Sequence, residues 1–226
     1  MPKREGLVTR QETLTQRLRD ARLYVITSAA HPDGRDLVAQ SEAALRGGAD
    51  ILQLRHKDLK DSALLSIARE LRRLTDRYGA LFIVNDRPGV ALLVDADGVH
   101  VGQDDLSVDA VRRVMGPGKL VGVSTHAPEQ ARKALEDGAD YIGVGPVFPT
   151  PTKAGRPAVT LEYVRQVVQM NLPIPFFAIG GIDETNIPEV MAAGARRVAV
   201  VRAVMASQDP EESARIIKKT VYSVGL

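Results

Sequence analysis

The chain contains no cysteine. That excludes disulfides, thiolate catalysis and cysteine-ligated metal centres. It has almost no charge imbalance: 30 basic against 28 acidic residues leave a formal charge of +2. So weak and dispersed a charge does not suit nucleic acid or an anionic membrane surface. No apolar stretch approaches the ~20 residues of a membrane span. The opening residues, MPKREGLVTRQETLTQRLRD, have no apolar signal core and carry acids. Neither a secretory nor a transit peptide is expected, and the chain reads as a soluble cytoplasmic protein. No glycine-rich G-x-G-x-x-G turn follows the first strand-like run; LYVIT leads into SAAHPDG instead. That weakens the case for an open doubly wound sheet. No Ser-His-Asp arrangement can be picked out either.

What the chain does have is a recurring phrase. GGAD-ILQL runs through Leu54, VDAD-GVHV through Val101, DGAD-YIGV through Val144 and AGAR-RVAV through Val200. Each is a helix-like segment, a turn of small residues and an apolar run. The spacing, roughly 43 to 56 residues, suits two βα units per repeat. Between the copies lie LYVIT (23–27), LFIVND (81–86), LVGVST (120–125) and PFFAIGG (175–181), making eight strand-like runs. Several are apolar on consecutive residues, the mark of parallel strands covered on both faces. Segments such as SALLSIARELRRLTDRYG repeat apolar residues at helical spacing. Eight strands alternating with helices predict an α/β fold, a (β/α)8 barrel over residues 22–226, preceded by a helical extension over 1–21.

In such a barrel the chemistry sits at the carboxyl ends of the strands. Strand two ends Gln53-Leu54-Arg55-His56-Lys57, where alternation puts Gln53, Arg55 and Lys57 on one face. Cations pointing into a barrel mouth need an anion, either a ligand or neighbouring carboxylates. Strand three ends in Asn85-Asp86, and Asp104-Asp105 follow strand four. These acids suit either helix N-caps or Mg²⁺, which takes one or two carboxylates plus substrate oxygens and water. The set around Arg55 favours metal for Asp86 and Asp105. Ser124 and His126 end strand five, the histidine reading as a cap or packing residue before a catalyst; His100 reads as a packed or hydrogen-bonded strand residue and His31 as a loop residue. Strand six leads into FPTPTKAG, whose prolines fix backbone around Thr150, Pro151, Thr152 and Lys153. The turn at Gly180-Gly181 and the end of strand eight at Val201-Arg202 occupy the usual phosphate cradle of this fold.

Taken together, QLRHKD, IVNDR, ADGVHVGQDD, GVSTH, YIGVGPVFPTPTK and AIGGI, in this order, resemble the thiamine phosphate synthase family. The resemblance runs from LYVIT to VAVVRAVM. It implies a transferase joining 4-amino-2-methyl-5-hydroxymethylpyrimidine pyrophosphate to 4-methyl-5-(2-phosphoethyl)thiazole, releasing pyrophosphate. It implies that Gln53, Leu54, Arg55, His56, Lys57, Asn85 and Ser124 bind the pyrimidine substrate and that Lys153 meets its pyrophosphate. Asp86 and Asp105 would hold Mg²⁺. Thr150, Pro151, Thr152, Gly181, Val201 and Arg202 would hold the thiazole phosphate, with Arg202 standing where many members carry serine. Arg55, Lys57, Ser124 and Lys153 would act in catalysis. The implied partners are small molecules, with no nucleic acid or membrane, and a homo-oligomer is compatible. A thiazole tautomerase of the same family and a silent phosphate-binding barrel are the alternative readings.

Overall fold

The eight apolar runs form eight short parallel strands. The computed structural model describes residues 10–28, 36–151 and 158–224. Its elements, in order, are α1 (Arg10–Asp20), β1 (Leu23–Ile26), α2 (Leu37–Arg46), β2 (Ile51–Leu54), α3 (Asp61–Tyr78), β3 (Leu81–Asn85), α4 (Pro88–Leu93), β4 (Gly98–Val101), α5 (Val108–Met115), β5 (Leu120–Thr125), α6 (Pro128–Glu136), β6 (Tyr141–Val144), α7 (Thr160–Gln169), β7 (Phe176–Ile179), α8 (Ile187–Ala192), β8 (Val198–Val200), α9 (Arg202–Met205) and α10 (Pro210–Val224). Each strand pairs with its sequence neighbour, and β8 returns to pair with β1, Leu23 beside Val198. Closure removes both sheet edges and settles the choice against an open sheet. Helix starts follow local chemistry. Asp36 accepts from the Val38 amide, Ser107 accepts from the Ala110 amide, and prolines sit in the first turns of α4, α6 and α8. No described helix is long and apolar enough to cross a membrane.

Alternation divides the strand residues between two cores. Leu23, Val25, Leu52, Leu54, Phe82, Val84, Val99 and Val101 pack outward under the helices. Tyr24, Ile26, Ile51, Leu81, Ile83, Leu120, Tyr141, Phe177 and Ala199 fill the barrel interior. The chain has only five tyrosines and four phenylalanines, yet three of these rings meet in that interior. Tyr24 and Tyr141 each meet Phe177 edge-on, at 5.2 and 5.9 Å between centroids. Inward glycines make the room: a β-carbon at Gly122 would lie 2.0 Å from Tyr141 Cζ. Below the rings, Leu14 and Leu18 of α1 join the same cluster at 3% and 1% exposure. Burying each contributes at most about 1.5–3 kcal/mol. The carbonyl end of α1 is held by two arginines: Arg22 Nη1 donates to the carbonyls of Arg19, Asp20 and Ala21, and Arg197 Nη2 donates to that of Arg19.

The repeated phrase has a structural meaning. Its aspartates sit at the barrel floor, each just before an even-numbered strand. Asp50 Oδ2 accepts the amides of Arg22 and Leu23 at the start of β1, and Asp50 pairs with Lys218 at 2.8 Å. Asp97 accepts the Phe82 amide in β3 and pairs with Arg72 at 2.9 Å. Asp140 accepts the Val121 amide in β5 and pairs with Arg112 at 2.7 Å. Each carboxylate ties an odd strand to a helix. In the fourth copy Arg196 takes the aspartate's place, and its neighbour Arg197 grips α1. Asp97 is the most enclosed of the clamps. Replacing Asp97 with alanine strands the Phe82 amide and takes from the mostly buried Arg72 one of its two carboxylate partners, leaving Asp76. The expected cost is about 2–3 kcal/mol, measurable as a shift in urea midpoint; an unchanged midpoint would show the clamp to be idle.

Candidate active site

A cavity of about 570 Å³ opens at the carboxyl ends of the strands. Gln53, Arg55, Asn85 and Ser124 line it from β2, β3 and β5. Thr150, Gly181, Val201 and Arg202 line it from the loops after β6, β7 and β8. Residues far apart in sequence meet here because closure brings strand ends onto one rim. Alternation holds through β2: Gln53 is inside and 2% exposed, whereas Leu54 is buried in the outer core. The Leu54 side chain therefore points away from the cavity, and the β2 run does not act as one block. His56 is likewise not part of the lining, and its buried Nδ1 has no hydrogen-bond partner among the described residues. Pro151 is exposed and outside the lining. Thr152, Lys153 and His31 lie outside the described residues.

Asp86 and Asp105 sit beside the cavity, next to Asn85. Neither is a helix cap. The residue preceding α4 is Arg87, with no side-chain cap bond, and α5 is capped by Ser107. Asp86 takes a left-handed backbone, φ 56°, and accepts from Asn85 Nδ2. Asp105 Oδ2 accepts the Gly102 amide at 2.8 Å. Burial first, then the neighbouring Asp105 carboxylate, push the Asp86 carboxyl up to about 6; Lys57 pulls the other way. Two carboxylates forced together with one nearby ammonium form a donor set short of positive charge. Among the described residues no cluster of three or more His, Cys, Asp or Glu could hold a metal. The pair thus fits an ion that takes two carboxylates and completes its shell from elsewhere, as Mg²⁺ does.

This proximity gives a pH test with a definite sign. The folded chain keeps the Asp86 proton up to about pH 6, whereas an ordinary carboxyl at 3.8 has lost it. Metal-free protein therefore loses stability as pH rises from about 4 to 6. Asp86→Asn removes the penalty. Allowing for solvent screening of its exposed part, the variant should gain about 1 kcal/mol at pH 7.5 and nothing at pH 3.5. Thermal melts in chelator check this, and equal melts at pH 7.5 would sink it.

The glycines after β7 answer to packing. A β-carbon at Gly180 (φ 99°) would lie 2.4 Å from Pro146 Cα, and one at Gly181 (φ 64°) 2.7 Å from Phe148 Cβ. The Val147 and Phe148 amides donate to the carbonyls of Ile179 and Gly180. The loop after β6 is therefore docked on the glycine turn. Expected as a ligand approach, the turn also seats FPTP.

One connection between these residues is not visible in the sequence. Gln53 Nε2 donates to Tyr24 Oη at 2.6 Å, Tyr24 Oη meets Tyr141 Oη at 3.0 Å, and Tyr141 Oη meets His100 Nδ1 at 3.2 Å. His100 Nε2 meets Ser124 Oγ at 2.9 Å. Burial pushes both phenols well above their ordinary range, so both stay O–H groups. His100 is thus hydrogen-bonded within the barrel, as the sequence suggests. His126 Nδ1 meets the Gly145 carbonyl, and its amide donates to Gln130 Oε1. The available signal was parity: Tyr24, Gln53, His100 and Ser124 all fall on inward positions of their strands.

Residues 23–204 match the family model described as thiamine monophosphate synthase. The chain belongs to that family. It is 49% identical over 197 residues to a thiamine-phosphate synthase of Shouchella clausii, covering 87% of this chain and 94% of that protein. It is 51% identical over 200 residues to one of Synechocystis sp., covering 88% of this chain but 57% of that protein. The chain spans little more than half the length of several curated relatives it matches. A solved thiamine phosphate pyrophosphorylase from Pyrococcus furiosus superposes with a TM-score of 0.83 at 37% identity, covering 93% of this chain and 98% of that one.

Proposed function

We propose that the chain joins 4-amino-2-methyl-5-hydroxymethylpyrimidine pyrophosphate to 4-methyl-5-(2-phosphoethyl)thiazole, giving thiamine phosphate and pyrophosphate. One observation carries this reading: a single cavity gathers Gln53, Arg55, Asn85 and Ser124 on one side and Thr150, Gly181 and Arg202 on the other, with an acid pair at its edge. Two ligands bearing phosphate groups and one shared reaction centre suit that division. The relatives named above all carry the synthase description or its pyrophosphorylase synonym.

The bond that breaks joins the pyrimidine methylene carbon to a pyrophosphate oxygen; the bond that forms joins that carbon to the thiazole nitrogen. That nitrogen has a lone pair and no proton to lose. No general base is required, which agrees with the lack of a triad. The amino group of the pyrimidine can donate electrons as the carbon loses its leaving group. The chain's task is to hold two partners in contact and stabilise charge on the departing oxygens. Gln53, Asn85 and Ser124 orient the pyrimidine, while Arg55 and Lys57 face its pyrophosphate. Lys153 is assigned to the same pyrophosphate through the family motif. Thr150, Thr152, Gly181, Val201 and Arg202 hold the thiazole phosphate, arginine being a strong phosphate partner. Asp86 and Asp105 would hold Mg²⁺, which supplies charge neutralisation to a leaving pyrophosphate when bound. The reaction is assigned to the cytoplasm.

The test supplies both substrates and Mg²⁺ and follows pyrophosphate together with the coupled product. Stoichiometric formation of both supports the reading. Rearrangement of the thiazole without coupling, or binding without turnover, overturns it.

A further inference from the structure

The turn after β7 carries backbone donors that nothing in the described chain uses. Gly181 and Ile182 both line the cavity, and neither amide has an acceptor among the described residues. Idle N–H groups in a folded chain call for a ligand or water. Their direction is not set by the turn's own backbone, since Gly181 (φ 64°) lacks the β-carbon that narrows the choice for other residues. Asn186 sets it. Its Nδ2 donates to the Gly181 carbonyl at 2.8 Å, and its Oδ1 accepts the Asp183 amide at 3.0 Å. A carbonyl only accepts and an amide N–H only donates, so these two partners leave one orientation for the Asn186 side chain. Asn186 is not part of the cavity lining. It stands just before α8, which is anchored by the fully buried Ile187 and Val190. Across a trans peptide the N–H points opposite to the C=O. With the Gly181 carbonyl drawn away to Asn186, the Ile182 N–H is turned toward the cavity.

We propose that Asn186 is a positioning residue for the thiazole phosphate: it fixes the Gly181–Ile182 peptide so that the Ile182 N–H meets a phosphate oxygen. The inference rests on the synthase reading above and adds to that site one donor and the residue that aims it. A hydrogen bond to an ionised oxygen is the strong kind. It weakens steeply once the N–H swings out of line. Without a partner for its carbonyl, the peptide plane is free to tilt about the glycine, and the donor is lost to the ligand. The acid in the same turn does not compete for that donor, because Asp183 Oδ1 accepts from both the amide and the hydroxyl of Thr185. The pyrimidine should not feel the change. The residues assigned to it in the cavity lining, Gln53, Arg55, Asn85 and Ser124, come from β2, β3 and β5.

The experiment compares wild type with Asn186→Ala and Asn186→Asp. Alanine removes both bonds. Aspartate keeps an acceptor for the Asp183 amide and suits the position before a helix, but it has no N–H for the Gly181 carbonyl. Calorimetry measures the thiazole phosphate in the presence of Mg²⁺ and inorganic pyrophosphate, so that chemistry does not enter, and the pyrimidine pyrophosphate by itself. Both variants should bind the thiazole phosphate about 10–100-fold more weakly, the range of one charge-assisted hydrogen bond. Affinity for the pyrimidine pyrophosphate should stay within a few-fold. In turnover the KM for the thiazole phosphate should rise while kcat at saturation holds. The melting curve of the aspartate variant should stay close to that of wild type. Wild type gives a readout that needs no variant: in labelled protein the Ile182 amide proton should move downfield when the thiazole phosphate is added. At saturating ligand that movement should shrink in both variants, which a merely structural role for Asn186 would not produce. An Ile182 proton that ignores the ligand, or unchanged affinity in the alanine variant, overturns the assignment of Asn186 and leaves the synthase reading standing. A loss confined to the aspartate variant is charge repulsion and overturns it equally. Wild type that binds no thiazole phosphate overturns both.

Discussion

Turnover should fall on the order of 10³-fold when divalent ions are stripped from the protein or when Asp105 is replaced with asparagine. A divalent cation contributes several kcal/mol of charge stabilisation to a departing phosphate oxygen, and each 1.36 kcal/mol is about tenfold in rate. The structural ground for the prediction is the Asp86–Asp105 pair, where burial and the neighbouring carboxylate together raise the Asp86 carboxyl despite Lys57 and Asn85 beside it. The substituted amide keeps an oxygen that can accept the Gly102 N–H, so the loop after β4 should survive the change. The loss should therefore appear in turnover with little change in the melting curve. Full activity in chelator, or a D105N variant that turns over normally with Mg²⁺, would remove the metal from the account.

Gly122→Ala should be among the most disruptive single substitutions in the chain. Its β-carbon would meet three atoms of the Tyr141 ring, at 2.0, 2.4 and 2.5 Å. That ring cannot withdraw, being wedged against Tyr24, Phe177 and His100. Overpacking a well-filled core costs about 1–3 kcal/mol and at times more, and a collision with a fixed ring belongs at the upper end. About 3 kcal/mol corresponds to a fall of roughly 6–12 °C in melting temperature for a chain of this size. Adding Tyr141→Leu relieves the collision, so the double variant should be more stable than the two single effects predict. Strict additivity in that cycle would show that the glycine serves some purpose other than making room.

The barrel was legible in the sequence because burial on both faces leaves consecutive apolar residues in several strands, such as LYVI and LFIV. The acid pair and the β2 cations were legible because strand-end positions are given by chain order alone. The floor clamps were visible only as a repeated phrase. Their role depends on Arg72, Arg112 and Lys218, which no sequence spacing ties to the aspartates. The interior hydrogen-bond chain was hidden for the same reason. Tyr24 and Tyr141 are 117 positions apart, and each sits in a run that looks purely hydrophobic. Strand alternation separates Leu54, in the outer core, from Gln53 on the inner face, although the two are neighbours in one motif. The glycines at 180 and 181 line the cavity, and the packing that also requires them, against Pro146 and Phe148, has no trace in the sequence.

The seam that closes the barrel also sets a timetable. Leu23 pairs with Val198, so the first strand waits for the last before both its edges are bonded. At about 5–20 residues per second of synthesis, the stretch between them takes roughly 10–35 s to emerge. Throughout that interval one edge of the nascent β1 has no in-register partner. The residues that finish the seam, including Arg197 with its grip on α1, follow all seven earlier strands. A ribosome that stalls before residue 198 would release a chain with an open β edge and an untethered first helix, the kind of product that associates with its own copies.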